Sequence, residues 1–576
     1  MKNSLNLIAL FVVLLLTIVL ALVMFLLRSN LPFLAEANSA PIPLNLVETE
    51  LATLAPTATP TKRPTATPTP TETPTPTQTP TATPTVSADQ LDAQVLVDVE
   101  RDIRPISPLI YGVSLPPNQE YIEKLLPTFM SWGGNPTSRY NWREGNLWNG
   151  ANDYLFINGT YDLKGAVYDQ FLQQAESIDA GTRFSVPMLG WVAKDHYSCS
   201  FRDENDDCYV PPYDCRDPQS TADPNETSIR STPEDIAEWM QVIKESGRTI
   251  DYIAMDSEPE LWGFTHFDVH PECVTYQEIV DNFIAYGEAV RSVMPDAQIV
   301  GPNTCCWHFY FQSAAGEEDK LSHGGKDFLP WFLEQMREYE EQTGDRLLNV
   351  LDIHYYPEGL YHVWEETPDT RGNRLQAPRS LYDEEYVDPS WINDTVKLIP
   401  RVYEWIETEY PGTPFGISEW NFGAEETMDG AVVTAEVLGL FGRYGLLYAS
   451  YWDFPKEETP TYEAFKLYTN YDDEGGQFGD TSVAATNEDA DLRSFAAVDS
   501  ETGNLHIMLI SQNETESKLT RIDWDNFSAE GDATIYQVDA AASDDIITKT
   551  ISAGTDHTVV DIPPFSVTHI VVSQGE

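Results

Sequence analysis

Residues 414–454 read PFGISEWNFGAEETMDGAVVTAEVLGLFGRYGLLYASYWDF, and this stretch contains one strand–helix–strand unit. A short apolar run at 414–418 is followed by a largely apolar helical segment at 431–444 and by a second β-rich run at 447–453. Parallel strands need a crossover connection, which is usually a helix. The unit therefore predicts a parallel sheet with helices packed on it.

The same alternation of strand and helix extends back to about Ile110. Eight such units in about 345 residues fit a (β/α)8 barrel, within the α/β class. A doubly wound open sheet is the alternative, but no Gly-rich phosphate-binding turn follows any of the strands. The eight predicted strands are Ile110–Val113, Thr128–Trp132, Arg183–Leu189, Asp251–Asp256, Gln298–Gly301, Asn349–Tyr355, Pro414–Ser418 and Leu447–Asp453.

The sequence changes character after the predicted barrel. From about Leu492 to Gln574, short alternating runs are separated by Asn, Gly and Asp, which is typical of an antiparallel β-sandwich. Residues 92–102 also alternate and are expected to add a strand to this small domain. The predicted divisions are 1–50 (anchor or signal), 51–88 (linker), 89–108 (N-terminal strand), 109–465 (catalytic barrel) and 466–576 (β-sandwich).

The first 90 residues have the composition of an export segment and a stalk. Residues 5–27 are almost entirely apolar, and 23 residues at about 1.5 Å each can cross a hydrocarbon core of about 30 Å. A retained membrane anchor is favoured, with a long signal cleaved near Ala35-Glu36-Ala37 as the alternative. Thr-Pro repeats at 56–85 predict an extended spacer. The protein is therefore expected outside the cell, either anchored to the surface or secreted.

Composition excludes some classes of partner. The formal charge is −58, from 34 basic and 92 acidic residues. No basic stripe is present that could bind a phosphate backbone, so nucleic acid is a poor partner. An aromatic content of 11% argues for a large packed core. The sequence does not indicate an oligomeric state.

The six cysteines all lie beyond residue 198. An even number in an exported chain favours disulfides over metal thiolates, although the pairing cannot be assigned from sequence. Adjacent Cys305 and Cys306 are predicted not to pair with each other, because a disulfide needs a specific separation of Cα and Cβ atoms.

Two predicted strands deliver glutamates to the end of the barrel where this fold keeps its catalytic groups. The fourth strand ends in MDSEPELW, with Glu258 just past its tip, and the seventh ends in ISEWNFG, with Glu419 at its tip. A facing pair of carboxylates is what glycosidic hydrolysis requires. One protonates the leaving oxygen, and the other attacks the anomeric carbon or activates water.

The segment SWGGNPTSRYNW, after the second strand, supplies two further candidates. Asn135 is predicted to bind substrate. Arg139 is predicted to bind at the same site and to supply a positive charge that keeps Glu419 ionised, with an ordinary surface ion pair as the alternative.

Strands six, seven and eight supply the remaining candidates. His354 and Tyr356, in VLDIHYYPE, are predicted to position substrate or nucleophile rather than to transfer protons. Trp420 follows Glu419, and Trp452 lies in SYWDF. Both are predicted to contact sugar rings, because the apolar faces of pyranoses pack on aromatic side chains.

Together these motifs resemble glycoside hydrolase family 44. The segments SWGGNPTSRYNW, MDSEPELW, VLDIHYYPE, ISEWNFG, DGAVVTAEVLGLFGRYGLLYASYWDF and YDDEGGQFGDTSV match it in order and spacing, from Ile106 to the C-terminus. The resemblance implies a barrel with a β-sandwich, a retaining mechanism and endo-attack on β-1,4-glucans such as cellulose derivatives or xyloglucan. It also implies that Glu258 is the acid/base and Glu419 the nucleophile. Ser257 departs from the Asn usual before the acid/base, which puts the contact to the sugar 2-hydroxyl in doubt.

The sequence also bears on calcium binding and on functions other than β-glucan hydrolysis. No cofactor is required by the chemistry, but the resemblance leaves room for a structural calcium ion. The acidic loop DENDD at 203–207 has suitable oxygen atoms, although it lacks the order of an EF-hand and is better interpreted as a solvated loop. The alternatives to a β-glucan hydrolase are a non-catalytic glycan-binding or adhesion protein on the same scaffold and a hydrolase of xylan or mannan.

Overall fold

The structure is a computed structural model that describes residues 91–160, 166–217, 222–358 and 368–575. The predicted anchor at 5–27 and the Thr-Pro repeats at 56–85 lie outside the described residues. Within the described ranges, no helix combines the length and the apolar character that crossing a membrane requires.

The described strands, in chain order, are β1 (Ala93–Asp98), β2 (Arg104–Pro105), β3 (Gly112–Ser114), β4 (Phe129–Trp132), β5 (Leu147–Asn149), β6 (Asn158–Thr160), β7 (Gly181–Val186), β8 (Trp191–Ala193), β9 (Ser228–Arg230), β10 (Tyr252–Met255), β11 (Gln298–Thr304), β12 (Val350–Tyr355), β13 (Phe415–Trp420), β14 (Tyr448–Tyr451), β15 (Thr481–Asn487), β16 (Leu492–Val498), β17 (Leu505–Ser511), β18 (Lys518–Asp525), β19 (Ala529–Asp539), β20 (Ala542–Ser552), β21 (His557–Ile562) and β22 (Ser566–Gln574).

The described α-helices are α1 (Gln119–Leu125), α2 (Val167–Ser177), α3 (Pro233–Ser246), α4 (Trp262–Thr265), α5 (Tyr276–Val293), α6 (Glu317–Ser322), α7 (Phe328–Thr343), α8 (Pro368–Gln376), α9 (Leu398–Glu409), α10 (Met428–Tyr444) and α11 (Pro460–Thr469). Local sequence explains where they begin and end. In α3, for example, Thr232 and Asp235 form a capping box and Gly247 ends the helix in the left-handed conformation.

Eight strands close into a parallel barrel in the order β10-β11-β12-β13-β14-β3-β4-β7. Each of the eight predicted strands overlaps one of them, which confirms the predicted barrel. Gly416 shows how tightly the interior is packed, because a Cβ at this position would lie 2.3 Å from the Tyr448 ring. Only glycine allows Tyr448 to fill the space between the strands.

The barrel interior is layered from apolar to charged. Five side chains, one from each of five strands, form an apolar cluster of their own: Phe129, Ala254, Val300, Val350 and Tyr448. Further along the barrel, Arg183 of β7 and Asp352 of β12 form a buried ion pair. Because β7 and β12 are not neighbours in the barrel, this contact crosses the interior. It forms the polar floor beneath the mouth.

A ten-stranded sheet follows the barrel in the chain. Its strand order is β20-β19-β22-β17-β16-β15-β1-β18-β21, with β2 paired to β15. Strand β1 lies inside this sheet, antiparallel to β15 and parallel to β18. One apolar core draws side chains from both ends of the strand order, for example Trp524 of β18 and Ile535 of β19. The sheet therefore folds over on itself around that core, as a β-sandwich does.

Helix α10 lies between the barrel and this sheet and is buried at every residue from Met428 to Gly442. A Cβ on Gly439 would lie 2.6 Å from the Phe495 ring of β16, so the two surfaces touch there. Buried Glu436 of α10 accepts hydrogen bonds from Arg493 Nε (3.0 Å) and Gln512 Nε2 (2.7 Å). Apolar packing and this fully paired carboxylate join the two parts.

All six cysteines form disulfides: Cys199–Cys208, Cys215–Cys273 and Cys305–Cys306. The expectation of disulfides is met, but the prediction that Cys305 and Cys306 do not pair is wrong. The turn after β11 brings the two sulfur atoms together in a small ring that includes their shared peptide bond. The Cα separation that is usual for disulfides describes cysteines on separate segments, whereas Cys305 and Cys306 are adjacent in the chain.

Candidate active site

Glu258 lies in a turn directly after β10 at the mouth of the barrel. Asp256 and Glu258 both have positive φ angles, 64° and 50°, a conformation that non-glycine residues adopt at a cost. The turn is held by hydrogen bonds. The Asp256 carboxylate accepts the backbone N–H groups of Met188 (2.6 Å) and Ser257 (2.8 Å) and the Ser138 hydroxyl. These contacts connect three neighbouring loops of the mouth and fix the direction of Glu258.

Glu419 owes its orientation to a β-bulge in β13. The pairing of β12 with β13 shifts between Ile353 and His354, so that His354 pairs with Glu419 and Ser418 is the extra residue. A bulge re-aims the side chain that follows it. Here it brings Glu419 to the same side of the strand as the buried polar side chains of the barrel, where the carboxylate meets His354.

Glu258, His354 and Glu419 form one compact group. The imidazole Nδ1 of His354 lies 2.9 Å from Glu258 Oε1 and 3.3 Å from Glu419 Oε2. One side-chain atom from each of the three lies within 4.8 Å of the others. His354 is fully buried, whereas the side chain of Glu258 is 24% exposed. The group is therefore open to substrate from the Glu258 side.

Glu419 has a strongly perturbed pKa. Burial, opposed by the positive charge of His354 and reinforced by the negative charge of Glu258, raises the pKa of Glu419 to about 7. Burial alone would lower the pKa of His354, but the charge of Glu419 and the hydrogen bond to Glu258 outweigh it and raise the pKa.

Tyr356 completes the surroundings of Glu419. Its hydroxyl donates a hydrogen bond of 3.1 Å to Glu419 Oε2, and this bond opposes the rise in the pKa of Glu419. A carboxylate that receives a hydroxyl donor is favoured in its charged form. The arrangement suits a group that must act as an anion.

Two predicted sugar-contacting residues lie at the mouth with part of their surface free. Asn135 is half-buried, and its side-chain amide donates a hydrogen bond of 2.6 Å to Asp153 Oδ2. Trp452 is also half-buried, and its ring covers Gly134, where a Cβ would lie 2.6 Å from the indole. The roles of both residues in substrate binding stay predictions.

Arg139 does not pair with Glu419. Its guanidinium is fully buried and binds both oxygens of Asp268, at 3.0 and 3.2 Å, together with the Ser228 hydroxyl at 2.6 Å. With its charge neutralised and no surface exposed, Arg139 cannot bind substrate directly. The prediction is corrected: Arg139 supports the loop after β4, and the positive groups that lower the pKa of Glu419 are His354 and Arg183.

Trp420 is a core residue. It is 0% exposed, and its ring packs edge-on against Phe441 of α10 and Tyr451 of β14. Side chains alternate along a strand, so the residue after an inward-facing Glu419 points outward to the helices. A ring with no exposed surface cannot stack on a sugar, and the prediction for Trp420 is corrected on that ground.

Three polar residues near the site were not predicted. Arg183 and Asp352 form the ion pair below the glutamates. Glu260, two residues after Glu258, is buried with Oε1 accepting the Cys305 N–H at 2.5 Å, and burial raises its pKa to about 8. A signal was available, since a charged residue in the middle of an apolar strand, as in TRFSV and VLDIHYY, needs a buried partner.

The donor atoms of Glu258, His354 and Glu419 are close enough to hold a metal ion. A cation would require both carboxylates to be ionised, whereas glycosidic hydrolysis requires one proton on the pair, so the group is better suited to catalysis. In the loop at 203–207, the Asp203 carboxylate accepts the backbone N–H groups of Asn205 (2.8 Å) and Asp207 (3.0 Å). That arrangement occupies the acceptor with donors of the loop itself. A structural calcium ion stays an untested prediction.

The spacing of the carboxylates selects one type of mechanism. Retaining glycosidases hold the two groups about 5–5.5 Å apart, whereas inverting enzymes leave about 6.5–9.5 Å for a water molecule. An oxygen-to-oxygen separation within 4.8 Å fits the retaining class. The site can therefore support attack by one carboxylate while the other donates a proton.

Comparison with known proteins agrees with this chemistry. Residues 147–359 match the model of glycoside hydrolase family 44. Endoglucanase A of Paenibacillus lautus is 30% identical over 525 residues, a match that spans 84% of this chain and 73% of that protein.

Solved structures give the same result over the whole barrel and sheet. CelM2, a bifunctional glucanase-xylanase from a metagenome library, aligns with a TM-score of 0.79 at 32% identity, over 84% of this chain and 99% of CelM2. A family 44 xyloglucanase of Paenibacillus polymyxa, solved with xyloglucan, aligns with a TM-score of 0.72 at 26% identity, over 84% of this chain and all of that one. The chain therefore belongs to glycoside hydrolase family 44 and is a glycoside hydrolase.

Proposed function

We propose that this enzyme cleaves internal β-1,4-glucosidic bonds of plant polysaccharides with retention of anomeric configuration. The observation that carries the proposal is the pair Glu258 and Glu419, with oxygens within 4.8 Å of each other and of the imidazole between them. The substrates are cellulose derivatives, xyloglucan and mixed-linkage glucan.

Glu419 acts as the nucleophile in this proposal. Its carboxylate attacks the anomeric carbon and forms a glycosyl-enzyme, while Glu258 gives its proton to the leaving oxygen. In the second step Glu258 removes a proton from water, and the resulting hydroxide displaces Glu419. The greater exposure of Glu258 supports this division, because the group that exchanges protons with leaving group and water must reach both.

The pair can change roles because its charge changes during the reaction. Before attack, the negative charge of Glu258 helps to raise the pKa of Glu419. Once Glu419 is bonded to the sugar its charge is gone, and Glu258, which has given its proton to the leaving oxygen, is the carboxylate that acts as the base. His354 is hydrogen-bonded to Glu258 and lies 3.3 Å from Glu419, so it keeps both carboxylates in position during this exchange.

A second candidate substrate is xylan. CelM2, which aligns over 99% of its length, is described as a bifunctional glucanase-xylanase. Glucose and xylose units differ in the hydroxymethyl group, so a groove that does not enclose this group accepts both polymers. A non-catalytic glycan-binding role would not require two carboxylates at this spacing.

The test is product analysis with the full chain on barley β-glucan, carboxymethylcellulose, xyloglucan, xylan and mannan. We expect a rapid fall in viscosity on the glucans and a β-anomer as the first product by NMR. An α-anomer first would contradict retention. Faster cleavage of xylan or mannan than of every glucan would move the assignment to that polymer, and binding without cleavage would favour the adhesion alternative.

The location of the enzyme is a separate part of the proposal. The apolar run at 5–27 and the Thr-Pro repeats at 56–85 lead us to place the catalytic domain outside the cell, on a stalk or released. Cell fractionation tests this, because an anchored protein stays with the membrane after a high-salt wash.

A structural calcium ion is tested by thermal unfolding with EDTA. A lower Tm in EDTA would support such an ion, and an unchanged Tm would exclude one that stabilises the fold.

A further inference from the structure

Arg183 lies in the barrel interior, 1% exposed, and uses its whole guanidinium group. Nε donates to Asp352 Oδ2 at 2.8 Å, and Nη2 donates to Asn303 Oδ1 at 3.0 Å. Nη1 donates to the hydroxyls of Ser131 (3.2 Å) and Ser185 (3.3 Å). The Arg183 side chain, itself on β7, thus makes contacts to β4, β7, β11 and β12 of the barrel.

One arm of this network leads to Glu258. The Asn303 side-chain amide donates to the backbone carbonyls of Met255 and Asp256, both at 3.1 Å. The backbone carbonyl of Asn303 accepts the backbone N–H of Glu258 at 3.0 Å. Asn303 itself has a φ of 62°. Residues in this conformation need support from their surroundings, and for Asn303 the support includes the bond from Arg183.

The other arm leads to Glu419. The second oxygen of Asp352 accepts the backbone N–H of Ser418 at 3.1 Å. Ser418 is the bulge residue that turns Glu419 toward the mouth. Arg183 therefore fixes the Asp352 carboxylate, and this carboxylate accepts the hydrogen bond from the bulge residue Ser418.

We propose that Arg183 is a positioning residue that sets the separation of the two glutamates, acting through Asn303 on Glu258 and through Asp352 on Glu419. This inference rests on the proposed retaining mechanism. The two arms connect one side chain to both catalytic strands through the backbone that carries each glutamate. Arginine suits the task because its rigid, planar fork binds several acceptors at fixed angles.

The space above Arg183 is restricted in the same way. A Cβ on Gly133, at the start of the loop that carries Asn135, would lie 3.0 Å from Arg183 Nη1 and 2.7 Å from Ser185 Oγ. The loop therefore passes directly over the guanidinium.

Arg183 also contributes its charge, since it is one of the positive groups that oppose the rise in the pKa of Glu419 caused by burial. Asp352, its partner, offsets part of this effect. The titratable or charged groups around the glutamate pair include Arg183, Asp352, Glu260, His354, Tyr356, Tyr310, Asp153 and Asp453.

The test compares Arg183→Lys with Arg493→Lys in the full chain. Arg493 is the control because, like Arg183, it pairs with a buried carboxylate, but this carboxylate is Glu436 at the contact with the sheet. A misplacement of about 1 Å can cost about 100-fold in rate. We expect Arg183→Lys to lower kcat on β-glucan by about 10- to 100-fold with little change in KM, and Arg493→Lys to leave both unchanged. Equal kcat values for the two variants would overturn the proposal.

A second variant keeps the test decisive if Arg183→Lys does not fold. Asp352→Asn preserves shape but leaves the charge of Arg183 unbalanced, which lowers the pKa of Glu419. We therefore expect the limb of the pH–rate profile that reports Glu419 to move to lower pH and kcat to fall. A profile at the wild-type position with unchanged kcat would overturn the proposal. If the wild-type enzyme itself cleaves no glucan, the proposed function fails instead, which separates the two outcomes.

Discussion

Two buried glutamates, Glu419 at the mouth of the barrel and Glu436 at the contact with the sheet, have opposite surroundings. Glu436 receives a donor on each oxygen, from Arg493 and Gln512. Glu419 receives one hydroxyl donor and faces another carboxylate. Burial raises the pKa of both, and Arg493 opposes the rise for Glu436.

This difference in surroundings distinguishes a structural carboxylate from a catalytic one. A buried carboxylate whose oxygens both accept hydrogen bonds has no capacity left for a reacting partner. A carboxylate that is left partly unpaired, beside a like charge, keeps the capacity to bind a reacting partner, which is the property that catalysis uses. Substitutions at Glu419, Glu258 and Glu436 and a pH profile test this distinction.

Glu419→Ala should abolish hydrolysis, with a loss of more than about 10⁴-fold in kcat, because no group remains to form the glycosyl-enzyme. The Tm should change little, since the variant also removes a like-charge repulsion. Added azide should restore turnover and give a glycosyl azide of inverted configuration. Near-normal rates without azide would show that Glu419 is not the nucleophile.

Glu258→Gln should lower kcat on natural glucans by about 10²- to 10⁴-fold, the usual contribution of a general acid. Glycosides with a good leaving group need no protonation in the first step and should be attacked at a much smaller cost. Rates on β-glucan and on a dinitrophenyl cellobioside check this. An equal loss on both substrates would argue against the role of Glu258 as acid.

Glu436→Ala should show the reverse pattern. Removing one partner of a buried ion pair leaves Arg493 unpaired, which typically lowers the free energy of unfolding by about 3–5 kcal/mol. Thermal unfolding should therefore shift to lower temperature, while kcat measured well below the new Tm stays at the wild-type value. A fall in kcat in the folded variant would show that the contact with the sheet influences the mouth.

The pH dependence is expected to be the mildest of these effects. Burial and the negative charge of Glu258 raise the pKa of Glu419 to about 7, so the nucleophile carries its full negative charge only above about pH 7. We expect kcat/KM to fall about tenfold per pH unit below about pH 7. Tyr356→Phe removes a hydrogen bond that lowers this pKa, so its acidic limb should lie at higher pH. A limb at the same pH would contradict the role of Tyr356.

Strand periodicity and the position of strand ends were enough to predict the barrel and four members of the site. Glu258, His354, Tyr356 and Glu419 follow buried apolar runs, and the fold itself brings such residues to one rim. No knowledge of contacts between distant strands was needed for this part.

The remaining residues depended on contacts that no local pattern contains. Whether Arg139 reaches Glu419 or Asp268 is decided by loop geometry, and whether Trp420 faces the mouth is decided by a one-residue bulge at Ser418. Arg183 and Asp352 gave a signal, as charges within apolar strands, but their partners lie across the barrel. Sequence analysis can indicate such residues without assigning their contacts.

The placement of β1 has a mechanical consequence. Residues Ala93–Asp98 form hydrogen bonds to β15 on one side and β18 on the other, so the chain that precedes them leaves from the middle of a sheet. A force pulling on Leu91 along the strand would load both ladders in shear, with many bonds sharing the tension at once. The strands that carry the two glutamates, β10 and β13, belong to the barrel and not to this sheet, so such a force would not act on them directly.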